Sequence, residues 1–330
     1  MPADGRILLI RLGGLGDVVF TLPAVQALRA AFPQAQMDFL VDKKFASLLE
    51  GFPGIQNVLT LDRAGCKRLN PRALLLETVS LLWRLRRRRF GLVVDFQGFG
   101  ETGWISWWTR APERWGSVYR PARAWAYTRP VRRNPALHPV EYDLDVIQAG
   151  GVQPAQQAAH FALPQRAAGQ ARDWLRQHSL DAERPTLLLH PFTSSSHKNW
   201  GVDSYLALAR LARQQGVQVV FSGGPAERAA LAPASEAGFA VAAGAPLLVS
   251  VGLANLATLL AGGDTGLLHV AVAMGKRVLM LMGSLEPGAC HPYGHRDWAL
   301  VPAAGLPVTS IPVQRVWENC SRVFGQKKDE

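Results

Sequence analysis

Apolar residues recur along this chain in two alternating rhythms, short unbroken runs and longer stretches with a spacing of three or four. The runs predict buried parallel strands and the longer stretches predict amphipathic helices. Residues 6–11 read as a first strand, followed by helical spacing over 18–31 that stops before Pro33. A second strand is predicted at 37–41, a short helix near 45–49 and a third strand at 58–61. A long helix over 72–89 feeds a strand at 92–95. Residues 97–139, rich in Gly, Trp, Arg and Pro, read as loop with short helix, and a helix over 141–149 ends at Gly150 and Gly151.

After a linker near Leu163 and Pro164 the pattern restarts. Helices are predicted at 169–178, 203–214, after Pro225 and at 266–274, with strands at 186–190, 217–221, 256–261 and 277–282. A last helix near 312–325 is placed to pack back on the N-terminal domain. A chain of 330 residues exceeds what one core usually organises. The expectation is an α/β protein of two facing Rossmann-like domains, residues 1–164 and 165–330, each a parallel sheet covered by helices. Ligands are then expected in a central cleft at the C-terminal ends of the strands.

Composition changes this picture little: 48% hydrophobic and 18% charged residues describe an ordinary globular mixture. The opening residues lack the pattern of a signal peptide and no apolar run is long enough to span a membrane, so a cytoplasmic protein is expected. Three separated cysteines form neither a disulfide framework nor a metal knuckle. Charge adds more. Residues 1–165 hold 21 Lys and Arg against 13 Asp and Glu, so most of the net +11 lies in the first half. Between Arg84 and Arg133 there are twelve Arg and three acids, and six of the ten tryptophans fall between Trp83 and Trp125. Such a basic, aromatic region suits an acidic partner, whether anionic lipid, phosphorylated glycan or nucleic acid. The run Arg84–Arg89 itself reads most simply as a solvated helix end, and nucleic acid is not an expected partner.

Four strand-to-helix junctions carry candidate chemistry. In Arg11-Leu12-Gly13-Gly14-Leu15-Gly16-Asp17 the glycines permit a tight turn and close approach of a ligand, but not with the G-x-G-x-x-G spacing of dinucleotide folds. Asp17, at a helix N-terminus, suits either a general base or a plain capping residue. The segment Thr193-Ser194-Ser195-Ser196-His197-Lys198-Asn199-Trp200 offers hydroxyls, loop amides and one cation, a cradle for a diphosphate with Lys198 as its point charge. Its Ser195-x-x-Lys198 spacing matches penicillin-binding enzymes, whose companion motifs are absent. In Gly262-Gly263-Asp264-Thr265-Gly266-Leu267-Leu268-His269, the Thr265 and Gly266 amides can meet anions or sugar hydroxyls and Asp264 can accept from a hydroxyl. His269 there is either a ligand or a packed structural histidine. Glu227, after Gly223-Gly224-Pro225, can bind ribose hydroxyls or serve its own helix end. Asp143-Leu144-Asp145 is similar to a metal-holding Asp-x-Asp, but i and i+2 diverge on a helix, and solvated helix charges are the expected reading.

Taken in order, these segments resemble glycosyltransferase family 9, the lipopolysaccharide heptosyltransferases. The resemblance also takes in Thr21-Leu22-Pro23, Asp95-Phe96-Gln97-Gly98 and His291-Pro292-Tyr293-Gly294. The chain departs from the family at Gly13 and Gly14, where Ser is frequent, at Gly201 for Pro and at Glu286 for Asp. The resemblance implies a GT-B fold, with an anionic glycolipid acceptor on the first domain and an ADP-heptose donor on the second. It implies an inverting reaction with no cofactor and no metal. Asp17 falls on the catalytic base, Lys198 on the phosphate-binding lysine and Glu227 on the ribose-contacting acid. Asp264, Thr265 and Gly266 fall on the segment that holds donor sugar and diphosphate. Donor contacts are expected from Thr193, Ser194, Lys198, Glu227, Asp264, Thr265, Gly266 and His269. Acceptor contacts are expected from Gly13, Gly14, Gly16 and Gln97, and anion contacts from Arg63, Arg110, Arg114 and Arg120. Work on such an acceptor is expected at the cytoplasmic face of the inner membrane, with the protein bound peripherally. The rivals are a donor other than ADP-heptose, a non-catalytic binding relative, and a nicotinamide oxidoreductase with Asp42 as its acid.

Overall fold

Two six-stranded sheets, every neighbouring pair parallel, organise the chain. The computed structural model describes residues 5–66, 70–154 and 161–325, and the chain divides into two units, Met1–Ala159 and His160–Glu330.

The first unit runs β1 (Arg6–Ile10), α1 (Leu15–Phe20), α2 (Leu22–Ala31), β2 (Gln36–Asp42), α3 (Ala46–Leu49), β3 (Asn57–Leu61), α4 (Arg63–Cys66) and α5 (Pro71–Arg87). It continues with β4 (Leu92–Asp95), α6 (Gly100–Trp108), β5 (Glu113–Val118), β6 (Arg129–Arg132) and α7 (Pro139–Ala149). The strand order β3-β2-β1-β4-β5-β6 means the chain starts mid-sheet, builds to one edge and returns across α5 to build the other. The loops after β1 and β4 therefore leave the sheet side by side in opposite directions, the switch point at which such sheets bind ligands. Leu8, Ile10, Leu40 and Val93 from the strands share one core with Leu81 and Leu85 of α5 and Ile105 of α6, so both helices cover the same sheet face.

Four expectations are corrected here. The single helix over 18–31 is two, broken at Thr21, whose hydroxyl donates to the Val18 carbonyl at 2.7 Å. Pro23 lacks the N–H that a continuous helix would use there. Residues 97–139 hold two strands, β5 and β6, as well as α6. The edge strand β6, Arg-Pro-Val-Arg, is mostly exposed, and an edge tolerates the proline that argued against a strand. Asp143 is not solvated: it is fully buried on α7, while Asp145 faces another side. Nor is the 84–89 run wholly solvated, since Arg88 reaches buried Asp38 at 2.7 Å and Arg86 donates to the Trp108 carbonyl at 3.1 Å.

The second unit runs α8 (Gln165–Gln177), β7 (Thr186–His190), α9 (Val202–Gln214), β8 (Gln218–Gly223), α10 (Ala232–Glu236), β9 (Ala240–Ala243) and α11 (Leu247–Leu256). It ends with β10 (Leu259–Gly263), α12 (Gly266–Ala273), β11 (Val278–Leu281), β12 (Ala299–Leu300) and α13 (Val313–Gly325). Its order, β12-β11-β10-β7-β8-β9, repeats the plan of the first unit, with the switch point between β7 and β10. α9 and α13 share one core, in which Trp200, Tyr205, Leu208, Val316 and Cys320 are buried. The Trp200 indole N–H donates to the Ile311 carbonyl at 2.8 Å and so fixes the end of the loop after β7. The helix expected after Pro225 is reduced to a single turn, Pro225–Glu227, ahead of the short α10. Among the described residues no helix is long and apolar enough to cross a membrane.

Candidate functional site

Each unit carries a cluster of polar groups at its switch point. In the first, β1 delivers Arg11 to the end of the sheet and α1 presents Asp17 in its first turn, with Gly14 as N-cap. Gly14 has φ +65°, and a Cβ there would lie 2.5 Å from Asp17 Oδ2. A glycine is therefore required twice over, by backbone and by space. Arg11, 2% exposed, donates to Asp17 Oδ1 at 3.0 Å and to the Phe96 carbonyl. The Asp17 side chain itself is 40% exposed, so one oxygen is held while the group still faces solvent.

From the β4 side, Gln97 Oε1 accepts from the amides of Leu12 at 3.2 Å and Gly13 at 3.0 Å, tying the two loops together. Asp95, fully buried, accepts from the amides of Gln97 and Gly98 and from the Tyr127 hydroxyl at 2.6 Å. Burial raises its carboxyl, and those bonds only partly oppose the shift. Beneath lies Asp143, its Oδ1 3.8 Å from Arg11 Nη1, with neither oxygen hydrogen-bonded. Burial lifts the Asp143 carboxyl to about 7 although Arg11 and Arg133 pull it down. Burial likewise works against the Arg11 cation, but Asp143 and Asp17 outweigh it and raise the guanidinium above its ordinary value. Gly13, Gly14, Gly16, Asp17 and Gln97 are thus brought together, with Arg11 and Asp143 as members that no spacing rule in the sequence marks.

Arg63 and Arg120 come together elsewhere, with Phe99, Glu101, Tyr119 and Arg123, around an open depression of about 560 Å³. Arg63 is paired with Glu101 at 3.0 Å, and Arg123 donates to the Gly98 carbonyl at 3.1 Å. Arg110 is exposed just past α6 and lines no part of that depression. Arg114 is turned onto backbone carbonyls, Ala126 at 2.9 Å among them.

In the second unit, the loop after β7 and the turn after β10 meet through an ion pair. Lys198 Nζ donates to Asp264 Oδ2 at 3.0 Å, and His269 Nε2 lies 2.9 Å from Asp264 Oδ1. Burial raises the Asp264 carboxyl, but His269 and Lys198 more than offset it and leave the value lowered. His269, 4% exposed, is packed and holds Asp264 through its ring nitrogen. Asn199 Oδ1 accepts from the Thr193 amide and hydroxyl, both at 2.9 Å, which braces the loop from within. Ser194 is exposed on that loop. Thr265 is the N-cap of α12 without using its hydroxyl as a cap, and Gly266 opens the helix, whose first amides have no partner within it. Glu227, after neighbouring β8, accepts from the Gly224 amide at 2.6 Å, so its carboxylate caps its own turn.

These features have relatives. The pattern of glycosyltransferase family 9 (heptosyltransferase) matches residues 78–305. Lipopolysaccharide heptosyltransferase 1 of Pseudomonas aeruginosa is 29% identical over 296 residues, 88% of this chain and 81% of that protein. The core heptosyltransferase OpsX of Haemophilus influenzae is 24% identical, over 89% of this chain and 84% of its own length. Among solved structures, a family 9 glycosyltransferase from Veillonella parvula superposes with a TM-score of 0.87, at 20% identity and 99% coverage of both chains. Escherichia coli heptosyltransferase WaaC, solved with ADP-2-deoxy-2-fluoro heptose, gives 0.77 at 19% identity, covering 96% of this chain and 99% of its own. The two-sheet architecture is that of the GT-B fold. The oxidoreductase reading falls with this result, and Asp42, its acid, caps a turn by accepting from the Lys44 amide at 3.2 Å. By the extent of the match the chain belongs to glycosyltransferase family 9, and it is a glycosyltransferase.

Proposed function

We propose that the enzyme transfers heptose from ADP-heptose to the inner core of a lipid A-linked lipopolysaccharide precursor, with inversion and without a metal, at the cytoplasmic face of the inner membrane. The observation that carries this reading is the Lys198–Asp264–His269 cluster beside the amides of α12. It joins a cation suited to a diphosphate with a carboxylate suited to a sugar hydroxyl. The names of the relatives, and the ADP-sugar in the WaaC structure, support the identity of the donor.

In this mechanism Asp17 takes the proton of the acceptor hydroxyl as its oxygen attacks the anomeric carbon. The bond from that carbon to the diphosphate oxygen breaks on the opposite face, and ADP leaves with the electron pair. The transition state resembles that of glycoside hydrolysis. Lys198 and the helix-end amides meet the charge that grows on the diphosphate. Arg11 holds Asp17 Oδ1 and leaves Oδ2 for the proton. Arg63 and Arg120 receive the acidic groups of the acceptor. Calorimetry with ADP, UDP, GDP and NAD, without divalent metal, tests the donor assignment. Selective ADP binding that is lost in Lys198→Ala is the expected result; preference for UDP or GDP discards ADP-heptose.

A further inference from the structure

Ten of the eleven exposed large apolar side chains among the described residues fall between Leu74 and Trp125. Apart from Phe99 and Tyr119, which line the basic depression, they lie in two groups, one on α5 and one around α6. On α5, Leu81 and Leu85 are buried in the core, yet Leu75 is 63%, Leu76 70% and Trp83 51% exposed. Leu75, Val79 and Trp83 are four apart and Leu76 lies beside them, so the helix carries a second apolar stripe turned away from its buried one. On α6, Trp104 and Trp107 meet Trp125 from the turn after β5, with ring centroids 4.8 to 6.0 Å apart. All three indoles are more than 40% exposed. Clustered exposure of this kind marks an interaction surface.

We infer that this face of the first unit docks on an anionic phospholipid bilayer, with the Trp cluster and the α5 stripe at headgroup depth. Charge complementarity selects the occupant. Residues 72–123 contain ten arginines and four acids, of which Asp95 is fully buried and Glu101 already paired with Arg63. Arg72, Arg84 and Arg87 lie exposed on α5 itself. Tryptophan and arginine with aliphatic residues on one helix describe an interfacial element, and each basic side chain adds attraction to anionic lipid. Position agrees as well. The first turn of α6 supplies Glu101 to the basic depression and its later turns carry Trp104 and Trp107; the turn after β5 supplies Arg123 to the depression and Trp125 to the cluster. The inference rests on the proposed function only in that an acceptor with acyl chains explains why the depression borders a membrane-facing edge.

The test is sedimentation of the full-length enzyme with vesicles of phosphatidylglycerol and phosphatidylethanolamine, against vesicles of phosphatidylcholine alone. Binding to the anionic vesicles that falls with salt is expected, about 10-fold weaker in a Trp104→Ala, Trp107→Ala, Trp125→Ala variant. Arg84→Glu with Arg87→Glu is expected to remove the preference for anionic lipid by about 100-fold. All five positions are exposed, so the variants fold, which circular dichroism checks. Equal binding to both vesicle types, or variants that bind like wild type, overturns the inference. So does self-association through these residues without vesicle binding, which would assign the face to a second copy of the chain. Binding needs neither donor nor acceptor, and the Trp variant retains turnover on a delipidated acceptor. Failure of the docking surface is therefore distinguishable from failure of the heptosyl-transfer reading.

Discussion

At the scale of single residues, the first cluster is a solvent-facing carboxylate held from below by a buried arginine. Asp17 faces solvent and Arg11 holds one of its oxygens, so loss of the charge at Asp17 removes the proposed proton acceptor without opening a cavity. Asp17→Asn is expected to lower turnover by about 10²–10⁴-fold while ADP binding, measured by calorimetry, stays as in the wild type. Retention of a tenth of the turnover would sink the assignment. Asp143 has a different signature. Its carboxyl is held at about 7 against an ordinary 3.8. Between those values the folded chain binds more protons than the unfolded one, so the contribution of Asp143 to stability declines as pH rises from about 4 to about 7. Asp143→Asn cannot titrate. Urea unfolding at about pH 5.5 and about pH 8 is expected to show wild type losing roughly 2 kcal/mol relative to this variant over that interval. A difference that does not change with pH would take the titration away from Asp143.

At the scale of elements, the two loops of the first switch point are tied together by Gln97 as well as by Arg11. Gln97 Oε1 serves two amides of the loop after β1, and Gly98, at φ +66°, sets the following turn where a Cβ would lie 2.0 Å from the Ser117 carbonyl. Gln97→Ala leaves the Leu12 and Gly13 amides without that partner, at a cost of about 1–3 kcal/mol in stability. It is expected to loosen the segment that aims Asp17, so that kcat falls while the KM for donor holds. A donor KM that rises instead would place Gln97 with the wrong substrate. The sequence made most of this legible, because β1, β4 and β7 are built on short apolar runs and glycines follow β1 and β4. It hid β6, where an exposed edge strand carries Arg and Pro, and α11, which is apolar on nearly every side and so lacks helical spacing. Asp143 was illegible for another reason: its burial depends on Arg11, which arrives from 132 positions away in the chain and leaves no local pattern.

At the scale of the whole molecule, the duplicated plan divides the work. Both sheets have the same order and both put a polar cluster at the switch point, but the clusters differ: a buried arginine with two carboxylates in the first unit, a lysine paired with one carboxylate beside hydroxyls and helix-end amides in the second. Under the proposed function the anionic nucleotide binds the second unit and the acceptor the first. Hydrogen exchange with and without ADP reads this directly, because a ligand that binds only the folded state adds stability as RT ln(1 + [L]/Kd), about 2.7 kcal/mol at 100 times Kd. Protection is expected at the amides of residues 193–200 and 265–268 and through the core that Trp200 anchors. The amides of residues 11–17 and 97–98 are expected to exchange unchanged with ADP and to slow only with an acceptor analogue. Slowing of the Arg11–Asp17 loop by ADP alone would move the nucleotide to the first unit. Asp17 would then contact the nucleotide in place of the acceptor hydroxyl, and the division of labour between the two sheets would have to be reversed.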